Sequence, residues 1–222
     1  GGKTDPNKAV VPVPDKRFDA LVEINKPKKE TPAQVEFVDL AGLSRGAGKG
    51  EGLGNAFLNF VADADAMIQV IRCFSNSAVE HPEGSIDPLR DWDIVENELV
   101  FRDLAVIDNR LGKLNAKKKL IPEEAAEKKL LDQCYACLMD EKPLRSLSLK
   151  PEEWRQLNGF AFVTSKPEVI VLNLDESQSD ETKIPRWAEL KKRADEQGVE
   201  LCKLYGSLEM DVAELSEEEA AE

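Results

Sequence analysis

Histidine and cysteine are scarce in this sequence, which has one of the former and four of the latter in 222 residues. Four cysteines give no disulfide framework in a chain of this length, and only Cys134 and Cys137, in CYAC, have metal-like spacing. A zinc site would need a second such pair, and the sequence has none. Both residues continue a helical stripe begun at Leu130, at steps of four and three, so helix packing is preferred over a metal site. Long apolar runs are also missing. None reaches the ~18 residues that a membrane span requires, and the first residues carry no charged-then-apolar signal pattern. The expectation is a soluble, cytoplasmic protein without a membrane partner. Positive charge is in deficit: the net charge is −13, with acidic residues concentrated in the terminal ELSEEEAAE. The chain as a whole therefore lacks the basic field of a non-specific nucleic-acid binder. Any RNA contact would be local, and the dense basic cluster Lys113 to Lys119 is where it would fall; a solvated helix end is the plainer reading of that cluster.

Apolar residues make up 41% of the chain against 33% charged, enough to bury a core in one domain with an insertion or appendage. VEFVD (35–39), AMIQVIRC (66–73), VIVLN (169–173) and VELCKLYG (199–206) are short, apolar and bounded by loop residues, which predicts buried strands. Between the last two, Pro185 near the start and Gly198 just past the end punctuate a helix. Strand, helix and strand at these lengths imply a parallel sheet with crossover helices. The middle of the chain follows a different period. Val100, Leu104, Ile107, Leu111 and Leu114 alternate steps of four and three, a heptad seam on a helix predicted from Asp91 to about Asn115. A second helix, from about Glu123 to Glu141, carries Leu130, Cys134, Cys137 and Leu138. The expected fold is α/β, a mainly parallel sheet interrupted by an antiparallel helical hairpin. Its parts would be 1–90, the insert 91–158, and 159–222.

Two stretches have the residue types of a phosphate site. VEFVDLAG ends a strand in Asp-x-x-Gly, with Asp39 able to approach Mg²⁺ and the Gly42 N–H able to approach a terminal phosphate. Gly42 has no Cβ to hold the anion away. Six glycines fall in the thirteen positions from Gly42 to Gly54, which suits a segment ordered only when a phosphate holds it. A flexible linker is the alternative, but the segment lies between a strand-like run and NAFLNFV, apolar at helical spacing. At the N-terminus, GGKT ends as a P-loop ends: Gly2, then Lys3 for the β/γ-phosphates and Thr4 for Mg²⁺.

DPNKAVVPVPDKRFDAL, VEFVDLAGLSRGAGKGEGLGNAFL, VIRCFSNSAVEHPEGSIDPLRD and VIVLNLDES together, in order, resemble the Obg-like ATPase family, also called YchF, of the P-loop translation-factor-related group. The resemblance covers nearly the whole chain. It implies a P-loop NTPase-like domain interrupted by a coiled-coil insert, ATP and Mg²⁺ as ligands, slow ATP hydrolysis, and the ribosome or translation factors as partners. Against the family pattern, the strand and glycines before Gly1, a stretch between Thr4 and Asp5, and a C-terminal TGS domain are not in this sequence. A protein truly lacking the first two is expected not to hydrolyse ATP.

The resemblance also assigns residues. Guanine-specific relatives read the base with Asn-Lys-x-Asp, whereas this chain has Asn173-Leu174-Asp175-Glu176. The family's Asn-x-x-Glu goes with a preference for ATP, and an amide such as Asn173 can match adenine's donor and acceptors. Gly206, Ser207 and Leu208, in LYGSLEMD, match the family's backbone-reading loop. Leu43 stands where many related GTPases place a water-orienting glutamine. His81 matches the histidine of the family's H-x-x-G-x-x-D-P pattern, so Lys3, Leu43 and His81 are the catalytic candidates. An ordinary surface histidine is the alternative for His81. A GTP-using Obg-type switch, or a scaffold presenting the hairpin over a degenerate site, are the alternatives for the whole chain.

Overall fold

A computed structural model describes residues 7–40 and 60–215 of the chain. The chain divides into two compact units, 1–44 and 45–222. This boundary lies inside the first of the three parts anticipated from sequence.

In the first unit, β1 (Asn7–Pro12) pairs antiparallel with β2 (Gln34–Asp39), in register from Asn7 opposite Asp39 to Pro12 opposite Gln34. Helix α1 (Lys16–Asn25) lies between them in sequence. Asp15 caps it by accepting the Arg17 N–H at 2.9 Å, and Lys26 ends it at φ 45°, in the left-handed region. Two expectations are corrected here. β2 was anticipated as a buried strand of a parallel sheet, but it is antiparallel and largely exposed, Val35 and Phe37 included. Its composition fits a strand; composition says nothing of the partner or of what covers the strand.

The second unit holds a parallel sheet of β3 (Met67–Arg72), β4 (Glu168–Asn173) and β5 (Glu200–Leu204), with β4 in the centre. The crossover from β4 to β5 runs through the anticipated helix, Trp187–Gln197. It ends at Gly198, whose φ of 65° suits glycine and whose N–H reaches Ala194 O. Ile71, Ile170 and Leu172 of the sheet, and Leu174 just after β4, pack with Trp92, Leu190 and Ala194 in one core. On β3 that burial is one-sided. Ile68 and Val70 are more than half exposed, so β3 is only partly the buried strand its composition suggested.

The crossover from β3 to β4 contains the helical region. Numbered in chain order after α1, α2 is Pro88–Asn115, α3 Pro122–Met139, α4 Pro151–Leu157 and α5 the crossover helix Trp187–Gln197. α2 begins three residues before the expected Asp91 because Asp87 caps it, accepting the Arg90 N–H at 3.1 Å, with Pro88 in the first turn. Val100, Ile107 and Leu114 of the seam are buried against Leu130, Leu131, Cys134, Cys137 and Leu138, and Leu104 and Leu111 pack at the margin. From Arg110–Glu127 to Lys117–Glu124 the pairing runs forward to just past the end of α2 and backward along α3, so the two helices are antiparallel. Burial pushes the Cys134 thiol up to about 12. No cluster of three or more potential metal ligands occurs among the described residues. Among them, no helix is long and apolar enough to cross a membrane.

An ionic cluster joins the helical core to the sheet core. Arg145 meets Glu96 of α2 at 2.7 Å and Glu168 of β4 at 2.6 Å, all three almost wholly buried. Beside it, buried Asp103 accepts from the Val163 and Thr164 N–H groups and the Thr164 hydroxyl.

Candidate functional site

Open α/β sheets bind ligands beyond the carboxyl ends of their strands. At that edge of the three-stranded sheet lies a cavity of about 250 Å³, lined by Phe74, Asn173, Leu174, Asp175, Glu176, Tyr205, Gly206, Ser207, Leu208 and Met210. All six residues assigned by resemblance to base recognition are in it. They come from two segments, brought together because β4 and β5 are parallel neighbours ending at one level, with Asn173 opposite Leu204.

Each wall has an identifiable support. Helix α6 (Gly206–Ala213) starts at the pocket, and its first N–H, from Gly206, donates to Asn173 Oδ1 at 3.2 Å. A Cβ on Gly206 would stand 3.0 Å from that same oxygen, so any larger residue would push the Asn173 amide aside by a few tenths of an ångström. Intrahelical bonding begins with the Glu209 N–H to Tyr205 O, which leaves the Ser207 and Leu208 N–H groups without an intrahelical acceptor. The contact with Gly206 also orients the Asn173 amide: Oδ1 is occupied and Nδ2 is left to donate. Leu174 lines the pocket but belongs to the sheet core at 3% exposure, and its N–H donates to Leu204 O. A lysine there would bury its charge. Glu176 is exposed at the rim. The hydroxyl and N–H of Ser177 hold the Asp175 carboxyl below the usual carboxylate range.

Phe74, Tyr205, Asp175 and Met210 were not singled out from the sequence. The available signal was position: Phe74 follows β3 at the sheet edge where ligands bind. Arg72 organises that wall by donating to Phe74 O, Val79 O and Asn76 O, with its guanidinium 4.8 Å from the Phe74 ring centre. Burial, helped by the charge of Asp91, pushes the adjacent Cys73 thiol up to about 12, so it stays protonated.

Of the other candidates, His81 is in the second unit, Asp39 belongs to the first unit, and the rest lie outside the described residues. His81 does not line the cavity. Its Nδ1 accepts the Glu83 N–H at 3.1 Å and its Nε2 lies 3.1 Å from Asp91 Oδ2, with the side chain only 10% exposed. This is a seated, doubly engaged histidine, not the surface one that the plainer reading suggested. Asp39 is exposed at the end of β2, in the first unit. Gly2, Lys3, Thr4, Gly42 and Leu43 lie outside the described residues.

Comparison with known proteins gives a consistent grouping. No family model matches the chain. It is 36% identical over 219 residues to the ribosome-binding ATPase YchF of Haemophilus influenzae, a match covering 98% of this chain and 60% of that protein. It is 37% identical to the Obg-like ATPase 1 of Caenorhabditis elegans, covering 97% of this chain and 55% of that one. The structure of the Schizosaccharomyces pombe YchF GTPase superposes with a TM-score of 0.80 at 34% identity, over 99% of this chain and 60% of its own. The chain thus spans about 60% of the length of such relatives.

Proposed function

By sequence and by fold this chain belongs with the YchF and Obg-like ATPases, and from that premise we propose that it is the nucleotide-binding portion of a slow, Mg²⁺-dependent ATPase switch acting with the ribosome or translation factors in the cytoplasm. The observation that carries the proposal is the pocket joining Asn173, Leu174 and Glu176 to Gly206, Ser207 and Leu208. Its chemistry favours adenine over guanine. Asn173 Nδ2 and the Ser207 and Leu208 N–H groups are donors, which suit the N7 of either purine and the N1 of adenine, so the discrimination rests on the N1 and N2 edge of the base. Guanine offers N–H groups at N1 and N2 that a short carboxylate would accept, and this sequence has the longer Glu176 at that place.

Hydrolysis adds a water oxygen to the γ-phosphorus and breaks its bond to the β–γ bridging oxygen, leaving ADP and phosphate; it needs mainly positioning and charge neutralisation. Gly2, Lys3 and Gly42 are the proposed phosphate contacts. Thr4 and Asp39 are the proposed Mg²⁺ ligands; an exposed carboxylate at a strand end has the donor chemistry that Mg²⁺ takes alongside phosphate and water. With Leu43 unable to orient a water, His81 is the proposed group, and to serve it must exchange Asp91 for that water. Residues 91–158 are proposed as a coiled-coil insert between 1–90 and 159–222. Its tip, where Lys113, Lys118 and Lys119 are exposed and Lys117 is paired with Glu124, is the proposed local RNA contact.

Titrating the full-length protein with ATP and with GTP tests this reading. ATP is expected to bind at least about tenfold more tightly, a difference of about 1.4 kcal/mol. Tighter GTP binding would favour a GTP-using switch, the activity in the name of the fission-yeast neighbour. Binding of neither would favour a non-enzymatic scaffold.

A further inference from the structure

One side chain ties together two walls of the pocket that are far apart in sequence. Gln178 closes the short turn after β4, its Oε1 accepting the Asp175 N–H at 2.9 Å. Its Nε2 donates to Cys73 O at 2.9 Å, across 105 positions of sequence, and to Lys183 O at 3.4 Å. The Cys73 N–H in turn donates to Asn173 O at 2.9 Å. Cys73 is thus bonded on one side to the first residue of the Asn173–Glu176 segment and on the other to the side chain that closes it. Phe74, the next residue, also lines the cavity.

We infer that Gln178 is a positioning residue for base selection, fixing the spacing between the Phe74 wall and the Asn173–Glu176 wall. The inference rests on the adenine-site reading above. Glutamine suits the task for a countable reason. An amide supplies one acceptor and two donors, all three are used here, and no other side chain but asparagine offers that set. A carboxylate could still accept from Asp175 but could not donate to Cys73, and an apolar replacement could do neither. Gln178 is only partly buried and belongs to neither apolar core, so its effect should be on geometry more than on folding.

The test compares full-length protein with Gln178→Met and Gln178→Glu, measuring the affinities for ATP, GTP and inorganic tripolyphosphate, together with the melting temperature. In Gln178→Met, ATP is expected to bind about tenfold more weakly, through loss of bonds that leave Cys73 O and the Asp175 N–H unpaired. GTP and tripolyphosphate should change by less than about threefold, so the ATP-to-GTP preference collapses while the phosphate site persists. Gln178→Glu keeps the bond from Asp175 but sets a carboxylate oxygen against Cys73 O, so it should lose the ATP preference at least as fully, and it gives the answer if the methionine variant does not fold. An unchanged ATP-to-GTP ratio in a folded variant overturns the inference, as does a loss shared equally by all three ligands. Absence of any ATP preference in the unsubstituted protein would instead overturn the adenine reading beneath it.

Discussion

In the helical hairpin, Ile107, Leu131 and Cys134 are sealed from solvent, whereas around the pocket Leu208 and Met210 keep 43% and 71% of their surfaces exposed. The hairpin is held by apolar contact between two helices close in sequence. The pocket is held by hydrogen bonds between segments far apart in it: Gly206 to Asn173, Gln178 to Cys73, Cys73 to Asn173. Apolar packing is non-directional and tolerates small shifts, while a hydrogen bond fails within a few tenths of an ångström or a few tens of degrees. The proposed ligand pocket is thus built from the directional force, and the helical hairpin from the non-directional one.

Where the two regions meet, the contrast can be broken most severely. Replacing Arg145 with methionine leaves Glu96 and Glu168 buried without their cation. The expected loss is about 3–5 kcal/mol, read by denaturant unfolding near pH 8. A loss below about 1 kcal/mol would mean that the cluster does not join the two cores.

Next in size is Leu131→Ala inside the hairpin, expected to cost about 2–5 kcal/mol. If hairpin and pocket are specified separately, the folded variant should keep its ATP-to-GTP preference. A shifted preference in calorimetry would show that helical packing does set pocket geometry.

The last effect concerns pH. Burial, reinforced by Glu96 and opposed by Arg145, pushes the Glu168 carboxyl from an ordinary 4.5 up to about 7. Arg145 and Arg193 oppose that rise without cancelling it, so Glu168 holds its proton more tightly than a free carboxyl does. A folded state that holds this proton more tightly than the unfolded chain is favoured at low pH. Its advantage declines as pH rises from about 4.5 to about 7. Glu168→Gln should remove that decline, so melting temperatures of the two proteins should converge or cross between pH 5 and 7.5. Parallel profiles would place the proton elsewhere.

Much of this was legible before the structure. The α2 seam followed from a repeat that only an amphipathic helix satisfies, and α5 was delimited by Pro185 and Gly198 because both residues act within a turn or two of themselves. Asn173, Leu174, Glu176, Gly206, Ser207 and Leu208 were legible by resemblance to a family pattern, and the cavity gathers all six. Gln178 was not legible, since its partner is 105 positions away and glutamine in a polar loop carries no local signal. Nor was the seat of His81 on Asp91, because a turn of Gly84 and an N-capped helix set that distance. The exposure of β2 was misjudged for a related reason: a strand's residues state its tendency to extend, not what will lie against it.

By itself, then, the sequence determined the periodic elements, their approximate limits and the residue types at the sheet edge, all consequences of side-chain chemistry acting over a few neighbours. Only the tertiary structure decided that β4 and β5 end side by side, that the Asn173 amide presents its nitrogen, and that Cys73 anchors the Asn173–Glu176 segment. Those are distances between groups remote along the chain, and closing such distances is the work of the packed core and its directional bonds.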